Sequence, residues 1–203
     1  MSRIRALILA ACLLPAWAGA QEGAKLRDVE RGFWAAAHAG AVFYLDLPGE
    51  NPGSAMGSLI GIELGYDLFD SFQLGLLAWG QSVGAPADYK GIADDAIDPK
   101  RTRGDFQTMM VGGGFRYAFL RLADVNGVDR TYFFVRGAAG ATLSRPVGIL
   151  DEQGGFGLGG LGVEYFTQLR HFSVGVEVDW LGLFGEHGQA HAITLLPHLK
   201  YTF

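Results

Sequence analysis

The residues that could do chemistry in this sequence are single charged or histidine side chains inside apolar segments. Three are basic, five are acidic and two are histidines: Arg116, Arg136, Lys200, Glu63, Asp67, Glu164, Glu177, Asp179, His38 and His198. A charge that is removed from water needs an opposite charge beside it. We therefore predict an interior ion network, made of the following residues: Glu63, Arg116, Arg136, Glu164, Glu177, Asp179 and Lys200. A path for protons or ions along the same side chains is the alternative.

Two other segments have the composition of ligand-binding loops. Segment 84–104 contains Asp94, Asp95 and Asp98, which could bind calcium, but their spacing does not fit an EF-hand. Its mixed charges, prolines and glycines indicate a solvated surface loop. The glycine-rich run 154–160 resembles a phosphate-binding loop, yet no lysine and no helical pattern follow it. We predict no cofactor and no metal site from these segments.

The composition excludes several classes of protein. The chain has 203 residues, of which 49% are apolar and 18% are charged, so it is too apolar to be disordered. A single cysteine, Cys12, excludes an internal disulfide and a multi-thiolate metal site. Acidic residues outnumber basic ones by 21 to 16, which argues against nucleic acid as a partner.

The first 20 residues have the pattern of a secretory signal peptide. Arg3 and Arg5 precede an apolar stretch that ends in small residues before Gln21. Lipidation of Cys12 is the alternative interpretation of this leader. We predict a signal peptide at 1–20, a short periplasmic segment at 21–31 and one domain at 32–203.

The rest of the chain alternates between apolar and small or polar residues with a period of two, which indicates β-strands. Four segments alternate clearly: 33–46, 59–68, 172–180 and 192–203. Four alternate more weakly: 71–83, 105–119, 131–144 and 155–167. The sequence therefore predicts eight strands, joined by short connections at one end and longer ones at the other.

The residues on the less apolar face of each strand indicate what surrounds the sheet. This face mixes glycine and alanine with one or two charges per strand, whereas the other face is continuously apolar. A closed eight-stranded antiparallel barrel supplies lipid outside and a narrow interior for paired charges. Closure also satisfies the backbone hydrogen bonds that hydrocarbon cannot satisfy. We predict an all-β transmembrane barrel with short periplasmic turns and longer outer loops.

The leader, the eight strands and the ending Leu199-Lys200-Tyr201-Thr202-Phe203 resemble the small outer-membrane barrels of Gram-negative bacteria, of the OmpA and OmpX type. This resemblance covers nearly all of the mature chain and implies residence in the outer membrane. It also implies that Leu199, Tyr201 and Phe203 form the signal recognised by the barrel-assembly machinery. Outer-membrane lipids and that machinery are the partners we expect.

A narrower likeness concerns the leader, the opening 32–49 and the overall size. These are similar to the CglE family of myxobacterial adventurous gliding motility proteins, outer-membrane components of a gliding complex. That resemblance implies a role in a motility or envelope assembly and brings no catalytic residues. We predict a structural or interaction protein, with other envelope proteins as partners, and not an enzyme.

A narrow pore and a lipid-modifying enzyme are the two alternative functions. Some small outer-membrane barrels modify lipid A with histidine and serine at the outer rim, and this topology puts Ser82, Ser144, His187 and His191 near that rim. Glu186 lies beside these histidines, so a zinc site is also conceivable. Nothing in the sequence brings any of the serines within hydrogen-bond distance of a histidine.

Overall fold

The computed structural model describes residues 29–47, 54–84, 105–145, 150–169, 171–186 and 188–203, which form eight strands and no helix. In chain order the strands are β1 Phe33–Asp46, β2 Ala55–Phe69, β3 Phe72–Gly84, β4 Phe106–Ala123, β5 Asp129–Arg145, β6 Gln153–Phe166, β7 Phe172–Phe184 and β8 Gln189–Thr202. Among these residues, none forms a helix long and apolar enough to cross a membrane.

Several predictions concern residues outside this description. They are the signal peptide at 1–20 with Cys12, residues 21–28 of the predicted periplasmic segment, most of segment 84–104, and His187.

The strands close into an antiparallel barrel in which each strand pairs with its sequence neighbours and β1 pairs with β8. A path through directly paired residues starts at Trp34 and returns to β1 at Tyr44, ten residues further along. Eight strands with this stagger tilt by roughly 35–45° from the barrel axis and enclose just enough space for side chains. The predicted fold class is confirmed.

Four strands run at least three residues further than the alternation predicted: β2 begins at Ala55, β4 continues to Ala123, β7 continues to Phe184 and β8 begins at Gln189. The extensions of β7 and β8 leave only 185–188 between these two strands. This connection is as short as those at the opposite end. The strands continue into segments where the sequence predicted a loop, because glycine and polar residues near a strand end do not interrupt pairing when the neighbouring strand provides partners.

The two ends of the barrel differ. We call the end with connections 70–71, 124–128 and 167–171 the turn end, and the end with 47–54, 85–105, 146–152 and 185–188 the loop end. The N-terminal residues that precede β1 and the C-terminal Phe203 both lie at the turn end.

The connection at 124–128 shows how a turn is fixed at the turn end. Gly127 has a φ of 76°, a conformation that glycine adopts without strain. The carboxylate of Asp124 accepts hydrogen bonds from the amides of Val128 and Asn126 and from Arg130. The bond from Val128, together with those from Arg130 and Asn126, lowers the pKa of Asp124 to about 2. The turn is thus held by an ionised carboxylate.

The outer face of the barrel is apolar over most of its height. Its exposed side chains on β1 to β4 include Phe43, Ile60, Ile62, Leu64, Leu74, Leu76, Met109 and Val111, and on β6 to β8 Leu161, Val178, Leu195 and Leu199. Exposed aromatic side chains concentrate toward the turn end: Phe33, Tyr66, Tyr117, Tyr165 and Phe203. Aromatic residues in such a band are typical of the level of lipid headgroups.

The interior differs from the prediction toward the loop end. The sequence suggested small residues and charges throughout, but this half is filled by apolar side chains. We call them the apolar plug: Val42, Tyr44, Leu59, Trp79, Val83, Phe106, Met110, Phe156, Leu158, Leu181, Leu183 and Leu196. Short polar pairs inside it are internally bonded, such as Gln81 with Tyr44. The alternation did not predict the plug, because leucines occur on the inward face as well as on the outward face, and the pattern alone does not distinguish a dry interior from lipid.

A glycine in the wall makes room for Trp79, the residue of the plug that contacts Arg136. A Cβ atom on Gly61 would lie 2.0 Å from Cδ1 of Trp79, and the Trp79 side chain is almost fully buried. A Cβ atom on Gly80, by contrast, would meet nothing within 4 Å. Because the two glycines lie on adjacent strands, Gly80 is a suitable control for a substitution at Gly61.

We expect Gly61→Ala to destabilise the barrel by about 1–3 kcal/mol, because the added methyl group overpacks the interior against Trp79. Gly80→Ala should leave the free energy of unfolding nearly unchanged. Urea unfolding of both variants in the same detergent, followed by tryptophan fluorescence, measures the difference. Equal unfolding midpoints for the two variants would contradict this account of the packing.

Candidate functional site

Two arginines and two glutamates form a closed ring of ion pairs in the middle of the barrel. Arg116 Nη2 lies 3.0 Å from Glu63 Oε2 and 2.9 Å from Glu177 Oε1. Arg136 Nη2 lies 2.7 Å from Glu63 Oε1, and Arg136 Nη1 bonds Glu177 Oε2. Each arginine therefore bridges both glutamates, and all four side chains are buried. We call this set, from β2, β4, β5 and β7, the ion cluster.

Two histidines border the ion cluster on the side of β1 and β8. Nδ1 of His38 lies 3.2 Å, and Nδ1 of His198 lies 3.1 Å, from Oε1 of Glu177. Nε2 of His38 also lies 3.6 Å from Oε1 of Glu63. The ring centroids of the two histidines are 5.3 Å apart. Glu177 is thus the residue on which both arginines and both histidines converge.

Asp179 lies on the same strand as Glu177, toward the plug. Its Oδ1 lies 3.9 Å from Nε of Arg136, and its Oδ2 accepts a hydrogen bond from Thr194 at 3.3 Å. Asp179 is buried, and it marks the boundary between the charged and the apolar layers of the lumen.

Aromatic faces enclose the guanidinium groups. The Cζ atom of Arg136 lies 5.0 Å from the ring centroid of Trp79, and that of Arg116 lies 5.2 Å from Phe134 and 5.5 Å from Trp34. Cation–π contacts of this kind are stronger in desolvated sites than on a surface. The rings also exclude water from the ion cluster.

A second ion pair lies nearer the turn end. Nζ of Lys200 is 2.5 Å from Oε1 of Glu164, which also accepts a hydrogen bond from Ser173. Lys200 lies beside the rings of Trp34 and Phe166, at 5.5 Å and 5.0 Å. The lysine is fully buried, so this pair is separate from the ion cluster but is enclosed in the same way.

The residues just before β1 cross the turn end of the barrel. Arg31 donates hydrogen bonds to the carbonyl of Asp70 at 2.7 Å and to the hydroxyl of Tyr132 at 3.0 Å. The amide of Gly32 bonds the carboxylate of Asp67, and the Asp67 amide bonds the Gly32 carbonyl. This segment ties two strands and a turn together below the second ion pair.

The seven residues expected in the interior network are all buried in the barrel: Glu63, Arg116, Arg136, Glu164, Glu177, Asp179 and Lys200. The structure divides them between the ion cluster, Asp179 at its boundary, and the Lys200–Glu164 pair. The aromatic rings around them were not anticipated, although Trp34 and Trp79 occupy the same inward parity as the charges.

The residues considered for rim chemistry are not brought together. The hydroxyl of Ser144 is buried and lies 3.0 Å from that of Thr108, inside the barrel. The ring of His191 stacks against Trp180 at 5.4 Å, and Trp180 is exposed on the outer face. Ser82 is exposed as well. No serine–histidine pair at hydrogen-bond distance occurs among the described residues.

The residues expected to form the assembly signal lie at the end of the chain, Leu199 and Tyr201 on β8 and Phe203 directly after it. Leu199 and Phe203 are exposed, and Tyr201 packs against Phe172 and Phe203 with ring centroids 4.9 Å and 5.0 Å apart. The amide of Phe203 bonds the carbonyl of Phe33, which joins the last residue to β1. These side chains therefore belong to the aromatic band at the turn end.

The interior leaves little free space beside the ion cluster. Cavities lined by Arg116 have volumes of about 20 Å³ and about 10 Å³, which is close to the room that one water molecule needs. This arrangement can hold charges rigidly in a low-dielectric interior. On the loop side of the ion cluster, the described residues fill the lumen with the apolar plug.

Comparison with known proteins gives a fold but no family. No protein family matches the sequence, and no curated protein does. Among solved structures, Neisserial surface protein A is 15% identical, with a TM-score of 0.58 over 85% of this chain and 97% of that one. The outer membrane protein OprG of Pseudomonas aeruginosa is 11% identical, with a TM-score of 0.50 over 87% and 98%.

The fold is that of the small outer-membrane β-barrels. At these identities the likeness concerns the fold alone. It gives no support to the narrower resemblance to gliding motility proteins.

The ion cluster predicts a large cost for removing one arginine. We expect Arg136→Ala to destabilise the barrel by about 3–5 kcal/mol, because Glu63 and Glu177 lose a partner inside a closed interior. The control is Arg145→Ala, whose pair with Glu152 is 3.6 Å long and exposed, and which should cost less than about 1 kcal/mol. Urea unfolding in detergent measures both. If Arg136→Ala unfolds at the wild-type midpoint, the ion cluster does not stabilise the fold.

Proposed function

We propose that this chain is an outer-membrane protein with a structural or interaction role, which acts through its surfaces rather than through its interior. The observation that carries the proposal is the filled lumen. The ion cluster occupies its middle, and the apolar plug occupies its loop half. An apolar outer face with an aromatic band supports residence in a membrane, and outer-membrane lipids are its first partners.

The filled lumen argues against a pore. Ions would have to cross a layer that contains Leu59, Trp79, Met110 and Leu181, all of them almost fully buried. Desolvating an ion in such a layer is costly.

The positions of Ser144 and His191 argue against a serine–histidine enzyme at the rim, because the two residues lie on opposite faces of the sheet.

The β4–β5 hairpin is the surface that we propose for contact with another protein. Within the described residues, β3 pairs with β4 only as far as Tyr117, whereas β4 continues to Ala123. Leu122 and the fully exposed Val125 therefore lie on the water side of the aromatic band that includes Tyr117. Apolar side chains beside an unpaired strand edge suit an extended peptide segment of a second envelope protein.

Leu199, Tyr201 and Phe203 remain our proposed signal for the barrel-assembly machinery. Their support is their common position at the end of the chain, on β8 and directly after it. The barrel-assembly machinery could bind these side chains during folding, before β8 pairs with β1.

The first test of the proposed function is conductance. The purified, refolded protein should give no steady current above the membrane leak in a planar lipid bilayer, because the plug and the ion cluster fill its lumen. A larger porin that is reconstituted in the same way serves as the positive control. Stable open-channel currents that scale with the amount of barrel would overturn the proposal in favour of a pore.

The second test locates the partner. A photoreactive phenylalanine analogue in place of Val125 should form protein adducts in intact cells, because this position lies beyond the aromatic band. The matched control replaces Leu64, which is exposed in the middle of the apolar face and should crosslink only to lipid. Mass spectrometry identifies the adducts. If Val125 gives no protein adduct that Leu64 lacks, the hairpin is not the interaction surface.

A further inference from the structure

Three metal-ligating side chains from three strands meet beside the ion cluster. His38 on β1, Glu177 on β7 and His198 on β8 each offer a donor atom, and these atoms lie within 4.8 Å of one another. All three side chains are completely shielded from solvent. Two imidazoles and a carboxylate form a ligand set that zinc uses in proteins.

Neither imidazole has a hydrogen-bond partner with acceptable geometry. Both ring nitrogens of His38 and both of His198 are buried without such a bond among the described residues. Buried polar atoms in native proteins are normally satisfied by protein groups, water or an ion. Two of these four atoms, the Nδ1 atoms of His38 and His198, face Oε1 of Glu177 at 3.2 Å and 3.1 Å, and an ion placed between them would satisfy both.

The charges of the lumen point to the kind of ligand. Among the described residues, the buried ionisable side chains include five carboxylates: Glu63, Asp67, Glu164, Glu177 and Asp179. Only three side chains with a permanent positive charge are buried with them: Arg116, Arg136 and Lys200. With ionised carboxylates and neutral histidines, the buried side chains carry two more negative than positive charges. This excess favours a cation as the ligand of the site.

The spacing of the donors fits a transition-metal ion. Two ligands that bind a tetrahedral zinc ion at about 2.0–2.1 Å are separated by roughly 3.3–3.4 Å. The distances from Oε1 of Glu177 to Nδ1 of His38 and of His198 are 3.2 Å and 3.1 Å. The two histidine–glutamate separations thus match those of a tetrahedral zinc site, and all three donor atoms lie within 4.8 Å of one another.

We propose that His38, Glu177 and His198 form a binding site for a divalent transition-metal ion of the zinc type. Oε2 of Glu177 bonds Arg136, whereas Oε1 faces both histidines and also accepts one hydrogen bond from Arg116 at 2.9 Å. A carboxylate oxygen has two lone pairs, so Oε1 can keep this bond and still bind an ion. Glu63 binds both arginines independently of Glu177. The guanidinium groups then orient the ligating carboxylate, as groups that bond a metal ligand commonly do.

The site is enclosed on both sides along the barrel axis. The apolar plug lies toward the loop end, and Trp34, Phe134 and Lys200 lie toward the turn end. We therefore expect the ion to enter while the barrel closes, rather than after folding. This goes beyond the proposed function and does not depend on it.

The test is metal content after refolding. The full chain without its leader is refolded from urea into detergent with Zn²⁺, treated with a chelator, separated from free metal and analysed by mass spectrometry for zinc. We expect about one zinc per folded chain, and at least about a tenfold loss in His198→Gln and in His38→Gln. His191→Gln, which changes a histidine stacked on the outer face, should keep the wild-type content. After refolding with Co²⁺, the wild type should show the visible absorption of tetrahedral cobalt, whereas His38→Gln and His198→Gln should not.

Two results would overturn the proposal. One is a wild-type chain that folds, as judged by its altered mobility on an unheated gel, yet holds no zinc after the chelator. The other is a wild-type zinc content equal to that of folded His38→Gln or His198→Gln. If both variants fail to fold, the zinc content and cobalt spectrum of the wild type decide. The conductance and crosslinking results do not bear on this outcome.

Discussion

Closure of the sheet on itself is the constraint on which the rest of this structure depends. Hydrocarbon offers no hydrogen-bond partners, so every strand edge at membrane depth needs a neighbour, and β8 must pair with β1. Closing eight strands with a stagger of ten residues fixes the diameter of the barrel. The lumen is then too narrow for a wide aqueous channel but wide enough for one layer of large side chains. Everything inside the barrel has to fit this fixed width.

Large side chains fit into this fixed width where their neighbours on the adjacent strand are glycines. The Trp79 ring lies over Gly61, its partner on the adjacent strand, because Gly61 has no side chain there, and Trp34 lies over its partner Gly65 in the same way. The tryptophan rings in turn cover the guanidinium groups of the two arginines in the ion cluster. Gly61 and Gly65 are therefore a consequence of what the lumen contains, and neither could be exchanged for alanine without moving a tryptophan ring.

The period-two pattern predicts the fold almost completely, because lipid on one side and a packed lumen on the other impose opposite chemistry on alternate residues. It also predicts that Arg116, Arg136 and Glu177 face inward. It does not predict which charges pair, because the partners lie on strands β2, β4, β5 and β7, and their relative heights depend on the stagger. The plug was missed for a related reason: Leu196 and Leu181 are apolar on the inward parity, and periodicity cannot distinguish lipid from a dry interior.

The apolar plug and the ion cluster depend on each other. Ion pairs between arginine and glutamate are weak when water reaches them and costly to bury when they are incomplete. The plug and the aromatic rings keep water out, while the ring of Glu63, Arg116, Glu177 and Arg136 gives each charge two partners. An opening wide enough to pass a solute would hydrate the cluster and separate the side chains that hold the walls. A barrel built in this way keeps its interior fixed, whereas an exposed side chain such as Val125, in the connection at 124–128, can change without disturbing it.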